Sequence, residues 1–235
     1  MNKIMNKKGV TLVELIVAMA VGLIIMAAIY SLMNTGQKSS SSLARKVLTQ
    51  QDARAVMDLM ALEIGMASYN PGLFSAVWVG SPSTSSGVCA DYNFVQTRKG
   101  LQIAGENQIL VAMDLNEDGI IGNPGTNEYI FYEFTGNSIR RRVSCGTPQA
   151  ILGGIASGTR VLNDATTPLF QYFAASDTTP MDMTTPLTDL QIASIRRIRI
   201  NIVVEVETQS SAFRVSQKTY TTDIFVRNHA LDFYK

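Results

Sequence analysis

The sequence is poor in the residues from which most catalytic sites are built. It has a single histidine, His229, close to its carboxyl end. It contains no G-x-S-x-G, no H-E-x-x-H and no glycine-rich phosphate loop, so nothing in it calls for hydrolytic or nucleotide chemistry, and an enzyme is not expected. His229 itself reads as a surface residue. There are only two cysteines, Cys89 and Cys145, without C-x-x-C or Cys/His spacing, which leaves a zinc site without ligands. They form either one disulfide closing a long loop, if this part of the chain is exported, or two unpaired thiols. An excess of one charge is missing as well: the net charge is +1, too balanced for a disordered tail or a polyanion-binding protein. Arg140, Arg141 and Arg142, and Arg196, Arg197 and Arg199, lack interleaved aromatics. They are expected on solvated strand faces, with nucleic acid not a partner.

What is present begins with an apolar run. From Val10 to Met33 the chain reads VTLVELIVAMAVGLIIMAAIYSLM, with one charge and no proline. As a helix this stretch is about 36 Å long, against roughly 30 Å of bilayer hydrocarbon, so it is expected to span a membrane. Lys3, Lys7 and Lys8 precede it, which keeps the amino terminus cytoplasmic and sends residues 34 onward across. A cleaved secretory signal fits less well, because its apolar core is normally about 7–15 residues. A plain anchor does not explain Glu14, since a carboxylate in hydrocarbon costs about 2.5–3.5 kcal/mol.

The segment KKGVTLVEL resembles the type III signal of type IV prepilins and pseudopilins: a basic leader, a glycine, then an apolar helix whose fifth residue is glutamate. The resemblance implies that a prepilin peptidase cuts after Gly9 and methylates the new amino terminus on Val10, removing residues 1–9. The family more often has phenylalanine where Val10 stands, a departure that leans toward a minor pilin or pseudopilin. The Glu14 carboxylate of one subunit is then expected to pair with the Val10 amine of its neighbour, each relieving the other's desolvation. Further along, MALEIGMASYNPG, DLNEDG…EYIFYEF…IRRRV and TTDIFVRN resemble PilW-type minor pilins, and the J-type pseudopilin of type II secretion is similar in plan.

The resemblance implies an α+β, type IV pilin-like fold: one long amino-terminal helix, half in the membrane (residues 10–33) and half packed (34–68), against an antiparallel β-rich head (69–235). The implied role is a structural subunit that primes or caps a type IV pilus. Its implied partners are other minor and major pilins, the prepilin peptidase, the inner-membrane assembly platform and membrane lipid. The implied location is the inner membrane with a periplasmic head, then the pilus. A J-like pseudopilin and a pilin-anchored calcium-dependent adhesin remain as alternatives.

The residues themselves support a helix as far as about residue 68, where Asn70-Pro71 stops it. Ala44, Leu48, Ala55, Leu59, Leu62 and Met66 recur at helical spacing as a packing stripe, and Gly36 and the serines 39–42 mark a place for a bend. Residues 108–113, 128–136 and 138–145 read as a meander with a Gly136-Asn137 hairpin. Residues 195–207 alternate, with Ile198, Ile200, Ile202, Val204 and Val206 inward and Arg197, Arg199, Asn201, Glu205 and Glu207 outward; residues 219–228 are expected to pair antiparallel with them. Residues 72–90 and 163–190 read as loops.

One segment carries possible site chemistry. In DLNEDGIIG, Asp114, Asn116, Asp118 and Gly119 fall at positions 1, 3, 5 and 6 of an EF-hand-type calcium loop. Gly125 stands where the bidentate glutamate would be, so Glu128 and the Ile120 carbonyl are the expected remaining ligands of a Ca2+ ion. The alternative is an ordinary hairpin loop, because Asp, Asn and Gly are turn residues in any case.

Overall fold

The computed structural model describes residues 9–73, 77–78, 94–121, 126–144, 146–154, 159–175, 177–206 and 216–230. Its first element is a single helix, α1 (Leu12–Gly65), 54 residues long and so about 80 Å from end to end. Both ends follow from local sequence. Thr11 is the N-cap: its hydroxyl accepts from the Glu14 amide, and the Glu14 carboxylate accepts from the Thr11 amide, a reciprocal capping box. At the far end the helix stops at Gly65, and Ser68 turns the chain with φ 66°, a left-handed conformation that ends helical pairing.

α1 runs through Gly36 and Ser39 to Ser42 without a break in its helical pairing, so these residues do not melt it. The hydroxyls there fold back onto the helix: Thr35 donates to the Ser31 carbonyl at 2.9 Å and Ser41 to the Lys38 carbonyl at 3.0 Å. A propensity penalty of about 1 kcal/mol for one glycine is small beside an unbroken ladder of strong helix formers on both sides.

The packing face also differs from the expected stripe. Thr49, Ala53, Val56, Met57, Met60, Glu63 and Ile64 are buried, whereas Leu48 and Leu62 stay 57% and 62% exposed and Ala44, Ala55 and Leu59 are exposed too. Two apolar stripes of helical period coexist in this segment. The one that packs contains Thr49 and Glu63, which a count of apolar residues passes over.

The head holds two antiparallel sheets. β1 (Leu101–Ala104), β2 (Gln108–Ala112), β3 (Tyr129–Thr135), β4 (Ser138–Val143) and β5 (Gln149–Gly153) form a meander in that spatial order. The turn between β3 and β4 is the expected Gly136-Asn137, with Gly136 at φ 67°. The second sheet contains β6 (Thr159–Val161), β7 (Phe170–Phe173), β8 (Arg197–Val206) and β9 (Ser216–Phe225), with a short helix, α2 (Asp189–Ser194), before β8. β9 lies antiparallel along all of β8, as expected, while β6 and β7 share the other edge of β8. Asn163 fills the seam between them, donating to the Asn201 carbonyl at 2.8 Å and accepting from the Val203 amide at 3.2 Å.

β7 corrects the expectation of a continuous loop over residues 163–190. Its four residues, FQYF, are too few to show alternation, and their strand state comes from pairing with Arg197–Ile200. The inward set Ile198, Ile200, Ile202 and Val204 is buried as expected. Asn201 is buried with it rather than wet, donating to the Pro168 carbonyl at 3.1 Å and accepting from Thr221. Glu207 lies outside the described residues.

A main core joins α1 to both sheets through Met60, Ile64, Ile109, Val111, Ile130, Tyr132, Ile198 and Ile200. The opposite face of β2 and β3, with Leu110, Ala112, Tyr129 and Phe131, packs under Val77, Trp78, Phe94 and Ile121. The meander is therefore covered on both faces, which explains why β3 reads as a continuous apolar run rather than an alternating one. Gly100 shows how tightly the end of α1 is docked: a Cβ there would lie 2.2 Å from the Ser68 amide nitrogen and from the Ala112 carbonyl oxygen.

Candidate functional site

The amino-terminal signal is exposed. Gly9 and Val10 precede the helix, and Val10 is 75% exposed. Glu14, one turn in, has its Oε2 2.9 Å from the Thr11 amide and 3.0 Å from the Thr11 hydroxyl. The carboxylate is thus held at the Val10–Thr11 peptide, one residue along from the Val10 nitrogen on which cleavage after Gly9 would expose an amine. Thr11 is the residue that sequence reasoning missed, although T-x-x-E at the start of an apolar run is a visible capping-box signature. From Leu12 through Met33 the apolar side chains of α1 are exposed on every side. Among the described residues α1 is long and apolar enough to cross a membrane.

A second group of functional interest closes the β2–β3 connection. Asp114 follows β2 and Glu128 precedes β3; both are fully buried. The Met113 amide donates to the Glu128 carbonyl at 2.7 Å, which fixes the two carboxylates at the base of one loop. One oxygen from each of Asp114, Asp118 and Glu128 lies within 4.8 Å of the other two. Asp114 Oδ2 accepts from the Gly119 amide at 3.1 Å, but Asp114 Oδ1 and both Glu128 carboxylate oxygens have no hydrogen-bond partner among the described residues. Asn116 stands beside this group: its Oδ1 accepts from the Asp118 amide at 3.1 Å and its Nδ2 donates to Asp118 Oδ2 at 2.9 Å. Ile120, 56% exposed, donates its amide to Asp118 Oδ1 at 2.8 Å. Glu117 and Gly119 both take positive φ, which folds the loop back toward Asp114.

Two polar networks hold the head against α1 and the turn that follows it, and both correct sequence expectations. Arg141 was expected on a solvated face; it pairs instead with buried Glu63, its Nε 2.9 Å from Glu63 Oε2, and the Tyr132 hydroxyl donates to the same carboxylate. Burial, then the Glu63 carboxylate, pushes the Tyr132 hydroxyl far above its ordinary value. The second network is centred on His229, which is fully buried rather than superficial. Its Nε2 lies 2.9 Å from the Ile192 carbonyl and its Nδ1 2.8 Å from the Ser68 hydroxyl. A carbonyl only accepts, so Nε2 carries the proton and Nδ1 accepts from Ser68. Ser68 in turn accepts from the Gly100 amide at 2.9 Å. Burial is the main cause that lowers His229 to about 4, with Lys99 and Arg196 adding to it.

Other arginines are paired on the second sheet. Arg197 and Arg199 both reach Asp223 at 2.7 Å, and Arg197 covers the Phe173 ring at 3.7 Å. Those two guanidinium groups hold Asp223 below the usual carboxylate range, Arg199 first. Cys89 and Cys145, the candidate disulfide, lie outside the described residues.

Comparison with known proteins bears on the amino terminus. Neither a curated protein nor a solved structure matches the chain. Residues 4–30 match the family model described as the prokaryotic N-terminal methylation motif, which contains Gly9, Val10 and Glu14. The chain thus carries a prokaryotic N-terminal methylation motif at the start of a long apolar helix that is set against antiparallel sheets, an arrangement similar to that of type IV prepilins and pseudopilins.

Proposed function

We propose that this protein is a minor pilin: a non-catalytic structural subunit that primes assembly of a type IV pilus or caps it. The observation that carries the reading is the exposed half of α1, apolar on every side over more than five turns and ending at Glu14 and Val10. Such a surface is stable only in lipid or among like helices. Lysines 3, 7 and 8 orient it with the amino terminus cytoplasmic and the head periplasmic. Prepilin peptidase removes residues 1–9, and Val10 is methylated. Glu14, held by Thr11 in the precursor, then pairs with the Val10 amine of an adjoining subunit. Other pilins and the inner-membrane assembly platform are the partners of this helix, and the valine at position 10 favours a minor subunit over a major one.

Processing and assembly are tested separately. Intact mass of the protein from its host should show loss of residues 1–9 and one added methyl group, and Gly9→Val should leave the precursor uncut. Glu14→Leu should insert and be cleaved, yet fail to crosslink to other pilins. Deletion of the whole protein should abolish pili. Normal pili with lost protein secretion would reassign it to a J-like pseudopilin, and normal pili with lost surface attachment to an adhesin.

A further inference from the structure

We propose that Asp114, Asp118 and Glu128 bind one calcium ion that closes the loop between β2 and β3. Two independent observations carry this. Three carboxylate oxygens converge within 4.8 Å, about the widest separation that oxygens 2.3–2.6 Å from one calcium ion take across its shell. Separately, Glu128 is fully buried and both of its oxygens lack a partner among the described residues, as does Asp114 Oδ1. A buried carboxylate is ordinarily paired, hydrogen-bonded or bound to a metal. Neither Asp114 nor Glu128 has a cationic side chain against it among the described residues.

The chemistry of the group selects the ion. Its donors are carboxylate oxygens, with no nitrogen or sulfur that would favour zinc. Glu128 can bind through both oxygens and Asp114 through one, while Asp118 is exposed and leaves the outer side to water. A mixed carboxylate and water shell of this kind suits calcium, which tolerates irregular geometry, better than magnesium, which requires a near-ideal octahedron. The ion would join the residue after β2 to the residue before β3 and so fix a long connection whose ends are otherwise tied by the Met113–Glu128 backbone bond.

The experiment uses the full-length chain purified in detergent, with the metal alone as probe. In millimolar calcium chloride the thermal midpoint should stand roughly 5–10 °C above that in EDTA, as expected at a hundredfold excess over the dissociation constant. Dialysis followed by metal analysis should recover one calcium per chain. Asp118→Asn, at an exposed position that leaves folding intact, should melt like the EDTA form and weaken calcium at least tenfold. Glu117→Gln, on the same loop but outside the group, should keep the full shift. An unmoved wild-type midpoint with no bound calcium would overturn the proposal, as would an equal shift from magnesium or a full shift retained in Asp118→Asn. None of these outcomes depends on filament assembly, so the site and the pilin role stand or fall apart.

Discussion

Glu63 on α1 and Glu128 before β3 are both buried glutamates, yet their surroundings are opposite. Glu63 receives the Arg141 guanidinium and the Tyr132 hydroxyl, whereas the Glu128 carboxylate has no partner among the described residues. The difference separates two uses of a buried charge. At Glu63 the countercharge comes from the protein, and the pair ties the helix to the sheet. At Glu128 no described residue supplies it, and in the proposed site the bound ion would.

The same substitution at the two positions should therefore act with opposite sign. Glu63→Gln leaves Arg141 partly buried without its counterion and is expected to cost about 3–5 kcal/mol, a fall of roughly 10 °C in the melting midpoint. A third buried group sharpens the contrast, because burial and the nearby Lys99 and Arg196 disfavour its charged form. His229, lowered to about 4, binds its proton more readily in the unfolded chain. Its contribution is fully present above about pH 6.5 and is lost as pH falls toward 4, about 3 kcal/mol in all. Urea titrations from pH 7 to 4 should show this slope, and His229→Gln should flatten it while lowering stability at pH 7. Equal slopes in the two proteins would remove His229 as the cause.

Glu128→Gln should stabilise the calcium-free protein by on the order of 1 kcal/mol and abolish any further gain from calcium, because the unanswered charge and the ligand disappear together. The smallest effect is expected at the exposed glutamate. Thr11→Ala removes the cap that holds Glu14 and should cost about 1 kcal/mol, confined to the first turn of α1. Faster hydrogen exchange at Leu12 to Leu15 in micelles, with an unchanged midpoint for the head, is the expected signature.

The sequence made the amino-terminal helix, the β2–β4 meander and the β8–β9 pair legible, because each is defined by patterns within about ten to twenty residues. It did not reveal which stripe of α1 packs, since Thr49 and Glu63 are buried only by virtue of Thr159, Tyr132 and Arg141, more than sixty residues away. β6 and β7 were hidden for a related reason: each is short and takes its strand state from the distant β8. At the acidic loop, the alternation of Asp114 and Asp118 was readable from spacing, but the complete burial of Glu128 was not. His229 was misread because an isolated histidine gives no sign of what will cover it.

The proportions of α1 also have a mechanical consequence. The head grips the helix from Thr49 to Ile64, about 22 Å, while Leu12 to Leu48 extends roughly 54 Å beyond that grip. Sideways force applied at the tip is therefore multiplied about 3.5-fold where the helix enters the head, by simple leverage. The weakest part of the lever, Gly36 to Ser42, lies between tip and grip and is almost bare of tertiary contacts. Bending load from the tip is greatest at the Thr49 end of the grip, about four turns from the Glu63 lock, whereas tension along the axis is shared by the whole gripped length.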